Sequence, residues 1–599
     1  MTDTITEQVN NVLSTLNAAL TNNDTDSLVN CFSEDGYWRD LLAFTWNIKT
    51  LEGHAQINDM LLVQLQQINA SAFQIAPNEQ AVEEMGMATA WLTFETGVAR
   101  GYGHIRIVDG KILTLFTSIA ELKGHPELCG ANRPFGTTHG ADKNRPNWKE
   151  ELEKEGQELG YLEQPYAVII GGGQGGLALG ARLKMLGVPT IIIEKNDRPG
   201  DNWRKRYKSL CLHDPVWYDH LPYLPFPANW PVFTPKDKLG DWLEYYCEIM
   251  ELNYWTHSAC TQAQYDETAG KWTVSIDRHG EEVTLKPAQL IIATGLSGKK
   301  NLPSFKGIEK FQGDQHHSSE HPGPDAYKGK KALVVGSNNS AHDIAAALWE
   351  NDVDVTMMQR SSTLIVRSEP LVEIALKPIY SEEAIVNGIS TEKADMIMAS
   401  LPVKMITEGQ KQLYAEIQKQ DAEFYTRLEK AGFELDFGED GSGTYIKYLR
   451  RGSGYYIDVG ASDLVADGKI KLKNTSGIKE IKEHSVVFAD GSELETDLIV
   501  YATGYGNMSG WIEELLGKEV ANKVGMIGGL GSETTHDPGP WEGESRNLWK
   551  PTQQQGLWIQ AGNLFQARLY SKYTALQIKA RMEGISTPVY GIPEAVKAE

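Results

Sequence analysis

The chain has 599 residues, of which 41% are hydrophobic and 23% charged, and 57 basic side chains face 80 acidic ones for a net charge of −23. That length exceeds what one hydrophobic core supports, so about three or four domains are expected. An acidic balance of this size argues against non-specific binding to nucleic acid or to anionic membranes. The start, MTDTITEQVNN, has neither a basic n-region nor an apolar h-region, and no apolar run approaches membrane-spanning length, so a cytoplasmic, unanchored protein is expected. Five cysteines (Cys31, Cys129, Cys211, Cys247 and Cys260) form no CxxC, which excludes a disulfide framework and dithiol redox chemistry. No metal site is assigned.

Residues 1–125 read as a separate α+β domain. Ile5, Val9, Val12, Leu13, Leu16 and Leu20 share one helical face, and Ile57, Met60, Leu61, Leu65 and Ile68 mark a second helix. Strand patterns follow in ATAWLTFE, in GYGHIRIV, and, after an Asp109-Gly110 hairpin turn, in KILTLFTSIA. Helices first and a curled antiparallel sheet after, with CFSEDGYWRDLLAFTW between them, resemble the cone-shaped nuclear transport factor-like (SnoaL-like) fold. Some members of that fold are isomerases or dehydratases with an Asp or His in the cone, and Asp40, His54 and His104 are the candidates here. The alternative reading makes them satisfied polar residues of a domain used for packing or dimerisation.

Residues 126–164 carry prolines and glycines and then NWKEELEKEGQELG, a linker followed by a short solvated helix. The next stretch, AVIIGGGQGG from Ala167 to Gly176, gives a short buried strand, then Gly171-x-Gly173-x-x-Gly176, then a helical pattern. Gly171 permits the tight turn, Gly173 lets the backbone approach a pyrophosphate, and Gly176 lets helix and strand pack closely. The strand PTIIIEK ends at Glu194, 23 residues beyond Gly171, near the spacing at which a carboxylate meets the ribose hydroxyls of a dinucleotide. Beyond it, RPGDNWRKRYKSLCLHDPVWYDHLPYLPFP is too irregular for a regular element and too apolar for a solvated loop. It reads as a lining for a planar ligand or as an aromatic packing loop. A helix, strands and the buried LIIATG (Leu290–Gly295) follow.

The first glycine motif, GDNWR from Gly200 to Arg204, the LIIATG turn and Phe311-x-Gly313-x-x-x-His317 together resemble the class B flavoprotein monooxygenases. That class holds the flavin-containing monooxygenases, the Baeyer-Villiger monooxygenases and the plant auxin-forming enzymes. The family fingerprint, FxGxxxHxxx, ends in an aromatic or acidic residue often followed by proline. Here the terminal position is His321, before Pro322, where Baeyer-Villiger enzymes typically carry Trp and flavin-containing monooxygenases Tyr. The likeness runs from about residue 165 to the C-terminus. With the N-terminal domain and the HSSEH spelling, the chain looks most like the bacterial type II flavin-containing monooxygenases, a group that also performs Baeyer-Villiger oxidations.

A second nucleotide motif lies in ALVVGSNNSAHDIAAAL, where Gly336, Ser337, Asn338, Asn339 and Ser340 form the loop and Asn338 replaces the middle glycine. The strand VDVTMMQRSS ends without an acidic residue. Arg360 and Ser361 stand where a 2′-phosphate needs a cation and a hydroxyl, which favours NADP over NAD. Residues of about 370–450 read as an exposed helical insertion, a lid or an ornament of the nucleotide domain. TDLIVYATGY repeats the ATG turn that, in the two-nucleotide flavoprotein fold, marks each crossing between domains. GLWIQAGNLFQARLYSKYTALQIKA resembles the family's last flavin-contacting strand and helix, with Gly562 and Asn563 at the junction.

The expected fold is an α/β flavoprotein with two Rossmann-like dinucleotide-binding domains, preceded by an α+β cone-barrel domain. Residues 165–300 and 500–599 bind FAD and 301–499 bind NADP. The resemblance implies an NADPH-dependent FAD monooxygenase that inserts one oxygen of O2 into a small ketone, sulfide or amine through a C4a-(hydro)peroxyflavin, with NADH as a second option for the coenzyme. It carries over Trp203, Arg204, Gly562 and Asn563 as FAD contacts beside Gly171, Gly173, Gly176 and Glu194. It also carries over His317 as a domain-hinge or positioning residue, and His213 with Asp214 are candidates for the flavin face. A homodimer is one option. The rival readings are a nucleotide-binding flavoprotein without oxygenase turnover and an isomerase in the N-terminal domain.

Overall fold

In the computed structural model, residues 2–137 and 139–597 are described. The amphipathic start forms α1 (Thr2–Asn22) and α2 (Thr25–Val29), followed by β1 (Phe32–Leu41), β2 (Ile48–Glu52) and α3 (Gly53–Ile68). The strands β3 (Ser71–Ile75), β4 (Val82–Glu84), β5 (Met87–Glu95), β6 (Ala99–Val108) and β7 (Lys111–Leu122) complete one sheet in the order β2-β1-β7-β6-β5-β3, with β4 on β5. Every pairing is antiparallel except β1 with β7. Asp109 (φ 50°) and Gly110 (φ 73°) make the two-residue turn between β6 and β7, both in the left-handed region that such a hairpin demands.

Alternation along the strands gives this sheet two different faces. One carries Trp38, Phe44, Phe73 and Phe94, which pack on one another, with Phe73 stacked on Phe94 at 4.5 Å. The other face carries Arg39, Trp91, Tyr102, His104 and Arg106 toward the rest of the chain.

After the solvated helix α4 (Trp148–Glu158), closed by an Asn147–Glu150 capping box, come β8 (Ala167–Ile170), α5 (Gln174–Met185) and β9 (Thr190–Ile193). They open a five-stranded parallel sheet in the order Tyr254–Trp255, β9, β8, Gln289–Ile292, Leu557–Ile559. A second parallel sheet runs Asp314–His317, Leu498–Tyr501, Lys331–Val335, Asp354–Gln359, Lys471–Asn474. In both sheets the strand order reverses beside the strand that feeds the glycine motif, which leaves a crevice at the carboxyl ends of the strands. Between the sheets, segments 299–301 and 504–506 run side by side, with Asn301 N–H on Gly504 O (3.0 Å) and Gly506 N–H on Lys299 O (2.9 Å).

The segment of about 370–450 is exposed on one side, as its charged helices suggest, and docked on the other. Its helices include Thr391–Ala399, Val403–Gln420 and Gly443–Arg451, and they pack between the N-terminal sheet and the long helix Leu564–Met582. Most of its charges, such as Glu408, Glu416, Lys419, Glu423 and Lys430, stay exposed, and a few side chains near residues 393–400 meet partners from other domains. Asp395 takes a bidentate pair from Arg568 (2.7 and 2.8 Å), Lys393 pairs with Glu79 and lies 4.0 Å over the Trp91 ring, and Arg106 bonds Ser400 O and Oγ.

Arg39 joins three parts of the chain. Its guanidinium makes a two-bond pair with Glu544 (2.6 and 2.9 Å) and donates to Ala399 O (2.7 Å) of the insertion and to Tyr570 Oη (3.2 Å) of the long helix. Both charged side chains are about 5% exposed or less. Removing one partner of a buried pair strands the other charge away from water. Arg39→Ala is therefore expected to lower stability by about 3–5 kcal/mol, while the neutral pair Arg39→Met with Glu544→Gln recovers much of that loss. Denaturant unfolding of the three proteins checks both statements.

Candidate functional site

At the end of β8 the chain turns at Gly171 (φ 106°), whose N–H bonds the Ile193 carbonyl (2.9 Å). A Cβ here would stand 2.5 Å from the carbonyl oxygen of Ala293, in the LIIATG turn, and a Cβ on Gly176 would stand 2.1 Å from the Gly171 oxygen. Only glycine lets the loop seat against that turn and the helix against the strand. α5 starts at Gln174 with Gly173 as its N-cap, and no side chain caps it. Its first-turn N–H groups thus face the crevice with the positive end of the helix dipole, a cradle for a pyrophosphate. The helices Trp148–Glu158 and Leu564–Met582, by contrast, start with complete capping boxes.

Glu194 follows β9 and is 8% exposed. One oxygen accepts the Gly172 N–H (2.8 Å) and the other accepts the N–H and side-chain amide of Asn196 (2.9 and 2.7 Å). The carboxylate thus ties the glycine loop to the end of β9 and keeps lone pairs for a hydroxyl.

Gln174 gathers the remaining stretches. Its carbonyl oxygen accepts from Asn202 (3.4 Å) and Trp203 (3.3 Å), and its amide donates to Gly562 O (3.3 Å). Gly173, Trp203, Gly562 and Asn563, far apart in sequence, meet around this side chain. The x positions of a glycine motif carry no pattern, which is why sequence reading passes Gln174 over. Arg204 is not in this group. Its guanidinium is shared among Asp201, Asp241 and Glu244, so it ties its own turn to the helix Lys236–Ile249.

The second motif repeats the first. Gly336 (φ 128°) faces Ala502 of the second ATG turn, and a Cβ would lie 2.4 Å from that carbonyl oxygen. The helix Asn339–Glu350 starts at Asn338 without a side-chain cap. Ser337 Oγ and Thr363 Oγ1 are 2.7 Å apart, and the Asn339 side chain accepts from Ile457 N–H (3.0 Å), so these two anchor the loop to its neighbours. Ser340 lies against the Tyr207 hydroxyl. Arg360 and Ser361 follow the strand Asp354–Gln359 at the surface, and among the described residues no carboxylate pairs with Arg360.

His317 Nε2 is 3.0 Å from Gly504 O, and Nδ1 accepts from Ser319 N–H (3.2 Å). With both ring nitrogens bonded, the fully buried ring pins the strand Asp314–His317 to the second ATG turn. His321 pairs with His316 (2.9 Å), and burial holds its pKa down at about 4. His213 turns toward the second nucleotide motif. Its Nε2 is 3.5 Å from Asp343 on the helix Asn339–Glu350, and Tyr207 donates to the same carboxylate oxygen (2.8 Å). Burial opposes charge on His213, but Asp343 outweighs it and the pKa is raised. Asp214 is a neighbour of Tyr218, Tyr448 and Tyr455, and burial raises its pKa.

The three N-terminal candidates are not brought together. Asp40 is fully buried and accepts four bonds, from Phe44 N–H, Thr45 N–H, Thr45 Oγ1 and Thr117 Oγ1 (2.6–3.0 Å), so that burial lifts its pKa only to about 6. His104 lies on the opposite face of the sheet, its ring edge-on to Trp91 at 4.5 Å. His54 bonds Phe32 O (3.1 Å). A small enclosed cavity of about 20 Å³ lies where the N-terminal sheet, the insertion and the long helix meet, between Arg39, Tyr445, Glu544, Phe565, Gln566 and Tyr570. A groove of about 590 Å³ lies along α4 at the far end of α5 from the glycine loop.

Residues 168–437 match the model of the pyridine nucleotide-disulphide oxidoreductase family, although all five cysteines here are free thiols. The indole-3-pyruvate monooxygenase YUCCA1 of Oryza sativa subsp. japonica is 31% identical over 367 residues, which cover 60% of this chain and 82% of that protein. The probable indole-3-pyruvate monooxygenase YUCCA9 of Arabidopsis thaliana is 28% identical over 63% of this chain and 82% of that protein. Among solved structures, the flavin-containing monooxygenase from Stenotrophomonas maltophilia aligns with a TM-score of 0.45 at 17% identity, covering 70% of this chain and 99% of that one. OTEMO in complex with FAD and NADP aligns with a TM-score of 0.48 at 16% identity, over 71% and 86% of the two chains. With its uncapped nucleotide loops, each seated on an ATG turn, this chain belongs over residues of about 168–560 to the class B flavin monooxygenases and is an NADPH-dependent enzyme of FAD.

Proposed function

We propose that the enzyme inserts one oxygen atom into a small ketone, sulfide or amine, in the manner of the type II flavin-containing monooxygenases with Baeyer-Villiger activity. The observation that carries this reading is the pairing of two uncapped nucleotide loops across one crossing point, where segments 299–301 and 504–506 run together beside His317. Bound FAD and NADPH supply hydride transfer and the activation of O2.

The residues have separable tasks in this reading. The N–H groups at the start of α5 hold the FAD pyrophosphate, and Glu194 presents free lone pairs to a ribose hydroxyl while fixing Gly172. Gln174, Trp203, Gly562 and Asn563 form the wall near the isoalloxazine. The uncapped turn from Asn338 to Ser340 holds the pyrophosphate of the second nucleotide. The insertion and the N-terminal sheet close over the long helix and exclude water, which would otherwise divert reducing power into peroxide. His317 is a positioning residue in this scheme, because both of its nitrogens are bonded.

For the N-terminal domain we infer a SnoaL-like fold with a packing role. Its interior is filled by Trp38, Phe44, Phe73 and Phe94, and the Asp40 carboxylate is saturated by its four donors. Neither feature supports an isomerase site.

Two measurements test the proposal. A panel of ketones, sulfides and amines, followed by product mass, is expected to yield a product carrying one added oxygen for at least one class, with NADPH oxidation exceeding H2O2 release. H2O2 equal to NADPH consumed on every compound would replace the monooxygenase with an oxidase. For the coenzyme, a guanidinium free of carboxylate partners is available to the 2′-phosphate, and such a charged bond contributes about 1.5–3 kcal/mol. Arg360→Ala is expected to lower kcat/KM for NADPH relative to NADH by about 10- to 150-fold. An unchanged ratio would remove Arg360 from the phosphate site.

A further inference from the structure

Tyr218, in the one-turn helix Val216–Asp219, is held at its backbone, its ring and its hydroxyl. The guanidinium of Arg568, fully enclosed on the long helix, divides its bonds between Asp395 and the main-chain carbonyls of Tyr218 (2.8 Å) and His220 (2.6 Å), which fixes the backbone on both sides of Asp219. The ring stacks on Phe565 (centroids 4.9 Å apart, 23° between planes) and meets Tyr380 edge-on (5.0 Å, 87°).

The hydroxyl is equally constrained. Asn563 accepts the Gln566 N–H (2.9 Å) through its side-chain oxygen, as the cap of the long helix, and this turns its amide nitrogen toward Tyr218 Oη (3.3 Å). The phenol oxygen is therefore an acceptor in that contact, and its own proton must point elsewhere. Among the described residues no acceptor receives it. Of the neighbouring hydroxyls, that of Tyr380 is spent on Asp395 Oδ1 (2.8 Å) and that of Tyr448 on Gln566 Oε1 (2.6 Å). Burial and the nearby Asp214 carboxyl hold the Tyr218 pKa well above 10, so the proton stays on the oxygen as a donor.

A fixed, buried hydroxyl with an unused proton beside the Gly562–Asn563 turn is the arrangement that recognises an oxygen acceptor on a substrate. A ketone oxygen accepts such a bond well and a thioether sulfur only weakly. We propose that Tyr218 is a substrate-contacting specificity residue that donates a hydrogen bond to the carbonyl oxygen of a ketone. The assignment rests on the monooxygenase reading above and selects within it.

The test compares cyclohexanone with tetrahydrothiopyran, which is close in size and shape, on the purified holoenzyme and on Tyr218→Phe, which keeps the ring and removes only the hydroxyl. Loss of the bond is expected to lower kcat/KM for cyclohexanone by about 10- to 100-fold, with a change below about threefold for the thioether. The Kd of cyclohexanone for the oxidised holoenzyme, read from the flavin absorbance spectrum without NADPH, is expected to rise in the variant. Tyr380→Phe, which removes a hydroxyl already spent on Asp395, is expected to leave the ketone-to-thioether ratio unchanged. Equal losses on both substrates, an unaltered cyclohexanone Kd, or the same shift in Tyr380→Phe would overturn the assignment. A wild-type enzyme that oxidises neither compound and releases only H2O2 counts against the monooxygenase reading itself, while the Kd without NADPH still decides the role of Tyr218.

Discussion

Two backbone contacts set where everything else in the catalytic part lies. Gly171 sits against the carbonyl of Ala293 and Gly336 against the carbonyl of Ala502, each at a separation that no Cβ tolerates. In each half the contact joins the turn after the first strand to the turn after the strand beside it, where the sheet order reverses. The helix that follows starts without a side-chain cap, so its N–H groups remain for a phosphate. A larger residue at either glycine would push the loop off its neighbour and move both the cradle and the crossing between the two sheets. Glu194 and His317 secure the same two turns from the side, one through Gly172 N–H and the other through Gly504 O.

Charges that look solvated in sequence do much of the joining between domains. Arg39 with Glu544 and Arg568 with Asp395 are nearly inaccessible pairs between distant parts of the chain, and Arg546 with Asp537 is a third such pair inside one loop. Such pairs add little net stability relative to a well-packed apolar contact, because each ion loses its water. What they add here is register, since an arginine that must meet a carboxylate and two carbonyls at once accepts one docking geometry. Trp549 lies inside this region in the left-handed backbone conformation (φ 62°), stacked on Tyr570 at 4.1 Å and bonded through Nε1 to Ala561 O (2.8 Å). For a bulky residue that conformation is strained. The contacts that hold it run from Arg39 through Tyr570 to the turn before Asn563, so the N-terminal sheet supports the turn that carries Gly562 and Asn563.

The local elements were legible in the sequence because each rests on a short-range rule. Periodicity gave α1 and α3, a two-residue turn gave the β6–β7 hairpin, and glycine spacing after an apolar strand gave both nucleotide loops. The acidic residue at the end of β9 and the absence of one after the strand Asp354–Gln359 were equally readable, since both are single positions at known distances from a motif. Tertiary structure alone decided which charges were exposed, because a lysine or arginine reads the same in sequence whether water or a carboxylate from another domain surrounds it. That is why Lys393 and Asp395 read as part of an exposed insertion and instead meet partners from other domains, while most charges of residues 403–432 stay exposed. It also decided that Arg204 is held by the helix Lys236–Ile249, that His213 turns to Asp343, and that Gln174 and Tyr218 matter at all, since a hydroxyl becomes informative only when its neighbours leave its proton unused.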